Sequence, residues 1–239
     1  MDIYKTENIA DLIRGNSYVG RGLVLGKSRN GKNAVCAYFI MGRSANSRNR
    51  VFALKDGALF TEPFDASAVE DPRLIIYAAL RTQDNKLVVT NGDQTDTIVE
   101  GLRDGRTFSA ALRSRAFEPD APNLTPRISG MITFENGDMH YDMSILKSAD
   151  PEGTACHRFT FEYAAMPGVG HFLHTYVGDG DPLPSFQGEP ERVEIPDDID
   201  AFSNSLWNAL DADNKISLYV RYTDLANGTF CDRLINKNK

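Results

Sequence analysis

Three dipeptides limit what this chain can fold into: Asn30-Gly31, Asp56-Gly57 and Asn136-Gly137. Each lies between two runs rich in apolar and β-branched residues, as in "RISGMITFENGDMHYDMSIL". Asn-Gly and Asp-Gly supply the positive φ angles that a tight hairpin turn requires. Each pair therefore predicts two antiparallel strands, over "YVGRGLVLGKSRNGKNAVCAYFIMG", "RVFALKDGALFTEPF" and the stretch just quoted. Further strands are expected at "KLVVT", "HRFTFEYA", "GHFLHTYVG" and "KISLYVRYTDL". Helices are expected at 7–14, ending at Gly15, at 94–116 from its apolar spacing, and at "DIDAFSNSLWNAL", whose first turn is acidic. Residues 71–83, "DPRLIIYAALRTQ", fit either a strand or a helix opened by Pro72. Residues 178–198 form a Pro/Gly-rich loop. Hairpins outnumber helices, which predicts an α+β fold of two stacked, mainly antiparallel sheets with helices outside.

At 239 residues and 41% hydrophobic, the chain can bury a core without disulfides, and one domain over 1–239 is expected. The net charge of -7 argues against a general nucleic-acid surface, while leaving room for a local basic pocket. No apolar run approaches the roughly 18 residues of a membrane span, and the N-terminus has no signal-like apolar stretch. Cys36, Cys156 and Cys231 are scattered and odd in number, which fits a reducing cytoplasm. His171 and His174 would face opposite sides of a strand, so no metal site is expected. Asn123-Leu-Thr and Asn227-Gly-Thr match the glycosylation pattern by chance in this reading.

Three polar stretches carry candidate chemistry. "GRSANSRNR" (42–50) sets Arg43, Arg48 and Arg50 among Ser44, Asn46, Ser47 and Asn49. Guanidinium groups grip phosphate bidentately, and small polar neighbours leave room for it; a solvated loop is the alternative. "TNGDQTDTIVEG" (90–101) runs from a strand into a helix start whose free N–H groups can hold an anion or a ribose hydroxyl. Asp93, Thr95 or Asp96 can cap that helix, but capping accounts for only one or two of so many polar residues. "FEPDAPNLTPRI" (117–128) places Glu118, Asp120 and Arg127 in a Pro-rich connection, either an acid–base element or a surface ion pair.

Four segments together resemble the archaeal-type IMP cyclohydrolase family. They are "YVGRGLVLGKSRNGKNAVCAY" with "GRSANSRNR", then "DPRLIIY", "VTNGDQTDTI" and "NLTPRI". The resemblance is strong over 18–130 and weak beyond. Residues 1–17 form an N-terminal extension, and 131–239 a longer C-terminal part of the same domain. The resemblance implies an N-terminal-nucleophile-hydrolase-like fold, a four-layer αββα sandwich, without the terminal nucleophile. It implies closure of formamidoimidazole carboxamide ribotide (FAICAR) to IMP with loss of water, in de novo purine synthesis. That chemistry requires no metal, redox cofactor or covalent intermediate. A cytoplasmic homo-oligomer acting on a purine ribotide, with no nucleic-acid or membrane partner, is expected.

Roles follow from that reading. Arg43, Ser44, Arg48 and Arg50 are candidates for the 5′-phosphate, with Arg127 a further cation. Asn91, Asp93, Thr95 and Asp96 are candidates for ribose and base. Tyr77 is placed to donate to the formyl oxygen and Glu118 to transfer protons, so Tyr77, Glu118 and Arg127 form the catalytic set. Two rival functions are an amide hydrolase on the same fold and a purine-ribotide binding protein without catalysis.

Overall fold

The computed structural model describes residues 4–69 and 76–238. The hairpin signals are met. At Asp56-Gly57 and Asn136-Gly137 both turn residues have positive φ, 50° and 76° in the first and 52° and 74° in the second. The strands form two sheets, and every neighbouring pair is antiparallel.

In the six-stranded sheet, β1 (Arg21–Lys27) and β2 (Asn33–Met41) lie at the centre. Next to β1 come β10 (Val169–His174) and then β11 (Glu191–Glu194). Next to β2 come β12 (Lys215–Asp224) and then β13 (Phe230–Asn236). The seven-stranded sheet is a meander in chain order. It runs through β3 (Val51–Lys55), β4 (Ala58–Glu62), β5 (Tyr77–Gln83), β6 (Lys86–Thr90), β7 (Arg127–Glu135), β8 (Asp138–Ser148) and β9 (Cys156–Ala164).

The period of two along each strand sorts side chains into layers. On β2, Ala34, Cys36, Tyr38 and Ile40 enter the core between the sheets, with Leu87, Val89, Ile128, Ile132 and Met143 from the other sheet. The alternate residues Val35, Ala37, Phe39 and Met41 face outward. There they meet Ile9 and Ile13 of α1 (Ile9–Ile13) and Phe202 and Leu206 of α5 (Ile199–Ala209). On the far side, Val88, Met131 and Leu146 pack under Ile98 and Val99 of α3 (Gln94–Arg103) and Phe108 of α4 (Phe108–Ala111). The result is the αββα sandwich expected. No helix among the described residues is long and apolar enough to cross a membrane.

Two details differ from the sequence reading, and one open alternative is decided. The helix expected over 94–116 breaks after Arg103, where Gly105 has a φ of 76° and Thr107 caps α4 through a 3.3 Å bond from the Ala110 N–H. Residues 77–83 are a strand, and the helical start at Pro72 lies outside the described residues. β11 and β13 were unforeseen; Asn227-Gly228, read as a chance glycosylation match, lies in the turn from β12 to β13.

Candidate active site

Antiparallel pairing decides where the polar stretches meet. The start of β1 lies beside the ends of β2 and β10, and the start of β5 and of β7 beside the end of β6. These strand ends, from both sheets, border one cleft of about 610 Å3. Its lining includes Arg43, Ser44, Arg50, Tyr77, Asn91, Asp93, Glu118 and Arg127, so eight of the eleven residues singled out in the sequence converge. Arg48, Thr95 and Asp96 do not line it. Arg48 donates to the Gly42 carbonyl at 3.1 Å and to Asn214 Oδ1 at 2.8 Å. Thr95 is buried against Thr90, hydroxyl to hydroxyl at 2.7 Å. Asp96 turns to Arg81, 2.6 Å away.

The polar run at 90–97 is an interlocked junction. The Asn91 side chain donates to the Pro126 carbonyl and accepts from the Ile128 N–H and from Gln94, each at 2.9 Å. It ties the strand end to the segment that carries Arg127. Asp93 stands at the start of α3 without capping it. Its carboxylate instead accepts from Arg127 at 2.8 Å and pairs with Arg115 at 2.9 Å. Gly92 leaves room for this network: a Cβ there would lie 2.6 Å from Gln94 Oε1 and 2.7 Å from Arg127 Nη1 and would displace those side-chain ends.

Arg127 is therefore spoken for. Its Nη1 donates to Asp93 and, at 2.6 Å, to Gln94, and its two terminal nitrogens lie 3.0 Å from the two oxygens of Glu118. Glu118 is buried, and burial pushes its carboxyl above the usual range against the opposing pull of Arg127 and Arg21. Arg43 is held by Asp179 at 2.5 Å and by the Gly180 carbonyl at 2.8 Å, and lies over the Tyr18 ring.

The sequence reading missed Arg21, Tyr18, Thr125 and Tyr176 as cleft residues. Arg21 is the most telling, because its Nε is buried without a hydrogen-bond partner. Arg50 is itself buried and donates Nε–H to the Ser47 carbonyl at 2.8 Å. Neither has a carboxylate partner among the described residues. Burial lowers the Arg50 pKa and the nearby Arg21 charge adds to this. Burial opposes the Arg21 charge too, but the phenols of Tyr176, Tyr18, Tyr77 and Tyr38 outweigh it and hold the group above its ordinary value. Tyr77 shares a 3.0 Å hydrogen bond with Tyr38 across the sheets. Tyr176 bonds Thr125 at 2.5 Å, and burial pushes its hydroxyl up to about 12. The sequence signal was "GRG": a side chain at Gly20 would collide with Thr175 and Tyr176, so that glycine lets the Tyr176 ring approach the cleft, while Gly22 makes room for the Phe39 ring on the outer face of the sheet.

A cleft with two guanidinium groups that lack carboxylate partners, donor phenols and one buried carboxyl defines a protein that receives an anionic small molecule. The chain belongs to the IMP cyclohydrolase-like protein family, whose model matches residues 18–228. The match starts where the resemblance was read and runs well beyond residue 130. The IMP cyclohydrolase of Methanopyrus kandleri is 33% identical over 181 residues, covering 71% of this chain and 89% of that protein. That of Methanothrix thermoacetophila is 30% identical over 152 residues, covering 61% and 74%.

Proposed function

We propose that this protein is an IMP cyclohydrolase that closes FAICAR to IMP. The carboxamide nitrogen forms a bond to the formyl carbon, and the formyl carbon–oxygen bond breaks. The oxygen leaves as water with one proton from the carboxamide nitrogen and one from the formamido nitrogen. Holding the two groups together within one molecule supplies much of the rate, because the amide is a poor nucleophile. Negative charge grows on the formyl oxygen and needs preorganised donors in a dry site.

The unpartnered Arg21 Nε, in the same cleft as Tyr77 and Glu118, is the observation that carries this reading. Arg21 and Tyr77 are assigned to the formyl oxygen. Glu118, oriented by Arg127, is assigned to proton transfer, and its raised pKa suits a group that must donate to departing water. Arg43, Ser44 and Arg50 are assigned to the 5′-phosphate, and the half-exposed Asp93 carboxylate to the ribose. Asn91 and Arg127 act as positioning residues, since their polar groups are committed to the protein. The inter-sheet core shared by strands from 23 to 219 supports one folding unit.

The test is a spectrophotometric assay of IMP formation from FAICAR with the purified protein. Wild type should turn over. Tyr77→Phe should lower turnover by roughly 10²-fold, as for loss of a general acid–base or oxyanion donor, and still bind IMP. A wild-type protein that binds IMP without forming it would mark a purine-ribotide binder and overturn the proposal.

A further inference from the structure

Sheet edges expose unpaired N–H and C=O groups, and folds ordinarily cover or blunt them. Here β11 is covered by the segment at Glu7, whose N–H donates to the Arg192 carbonyl at 3.0 Å and whose carbonyl accepts from Glu194 at 2.9 Å. β3 is capped by the Asn236 side chain, which bonds both the N–H and the carbonyl of Phe52 at 2.9 Å. The outer edge of β9 has no such cover. Its nine residues contain no Pro or Gly, pair with β8 in unbroken register, and make no backbone hydrogen bond beyond β8 among the described residues. Most of the strand is exposed, including Phe159 at 42%.

The sequence of that strand is self-complementary. Around Thr160 it reads Arg158-Phe159-Thr160-Phe161-Glu162. Antiparallel pairing about a twofold axis through Thr160, perpendicular to the sheet, keeps each face on its own side. It sets Arg158 opposite Glu162 of the partner subunit twice, Phe159 opposite Phe161 of the partner subunit twice, and threonine opposite threonine. Both charges face the outer side, and both aromatics face the inter-sheet side, where Phe161 packs against the core. Neither Arg158 nor Glu162 forms an ion pair within the described residues; Arg158 bonds only the Leu112 carbonyl, at 3.1 Å. Glu162 instead lies across from Asp142 on β8, whose carboxyl is pushed up by burial first and by Glu162 second. An arginine arriving on the open side would offset that like-charge contact.

The geometry points to a homodimer in which β9 pairs with β9 of a second copy, joining the two seven-stranded sheets into one. This surface is separate from the cleft, so the inference stands or falls apart from the proposed reaction. Sedimentation and light scattering of the full chain test it. Wild type should be dimeric at micromolar concentration. Arg158→Glu and Glu162→Arg should each give monomers, since each sets like charges opposite one another. An equimolar mixture of the two variants should dimerise again, and so should the chain carrying both changes. Should either single variant fail to fold, Thr160→Cys in a chain with Cys156→Ser and Cys231→Ser should be linked to its own copy by a short bis-maleimide. A monomeric wild type, single reversals that stay dimeric, or no cross-link would overturn the inference.

Discussion

Arg127 and Arg21 reach into the same cleft under opposite electrostatic conditions. Arg127 is met by Asp93, Gln94 and Glu118, so its terminal nitrogens are engaged by the protein itself. Arg21 is half-buried among phenols with an idle, buried Nε. A buried charge that is answered internally holds the architecture. A buried donor left without an acceptor costs stability, as expected of a group held for what enters the cleft.

The comparison breaks most visibly at Arg127. Arg127→Met strands the Glu118 carboxyl in a buried site. Loss of one partner of such a pair costs about 3–5 kcal/mol, so the denaturant midpoint should fall sharply. Arg21→Met should do the reverse: turnover drops roughly 10²–10³-fold, as when one oxyanion donor is lost, while the thermal midpoint stays level or rises. If both variants lose stability equally, the two arginines are not different in kind. Glu118→Gln sharpens the contrast through pH. Burial raises the Glu118 pKa above its ordinary 4.5. The stability this contributes is fully present below pH 4.5 and is lost as pH rises through the folded value. The variant cannot ionise, so its midpoint should gain on wild type between pH 4.5 and 7; a constant gap would contradict the shift. The smallest effect is expected at Arg48, whose side chain is occupied by Gly42 and Asn214. Arg48→Ala should leave IMP affinity nearly unchanged, whereas Arg50→Ala should weaken it tenfold or more, as loss of about 1.5–3 kcal/mol from a charged hydrogen bond implies. Equal losses measured by titration calorimetry would return Arg48 to the binding set.

What the sequence disclosed follows the range of the forces involved. Turns at Asp56-Gly57 and Asn136-Gly137 are decided by two adjacent residues, so they could be read directly. The break after Arg103 was equally local, with glycine and then a capping threonine, but the apolar period on either side masked it. β13 is at best half-buried and lacks a clean apolar alternation, and its pairing is decided by β12 rather than by its own pattern. In the cleft, the clustered polar residues at 43–50, 91–93 and 118–127 stood out because they lie together in the chain. Arg21 and Tyr176 did not, because 154 residues separate Arg21 from the Thr175 side chain that accepts its backbone N–H. Asn91 looked like a ligand contact by composition. Only three-dimensional pairing reveals that its amide also holds Pro126 and Ile128.

The Tyr38–Tyr77 hydrogen bond has a mechanical side. Tyr38 belongs to β2 in one sheet and Tyr77 to β5 in the other, and the cleft walls are divided in the same way. On the proposed assignment, a ribotide gripped by Arg21 on one side and by Glu118 on the other becomes a rivet between two plates that meet through an apolar core and a few polar links such as Lys27–Asp138 and Tyr141–His171. Filling the cleft should then resist sliding of one sheet over the other. Amide exchange should slow in strands of both sheets together, and ligand concentration should set how firmly the plates are joined.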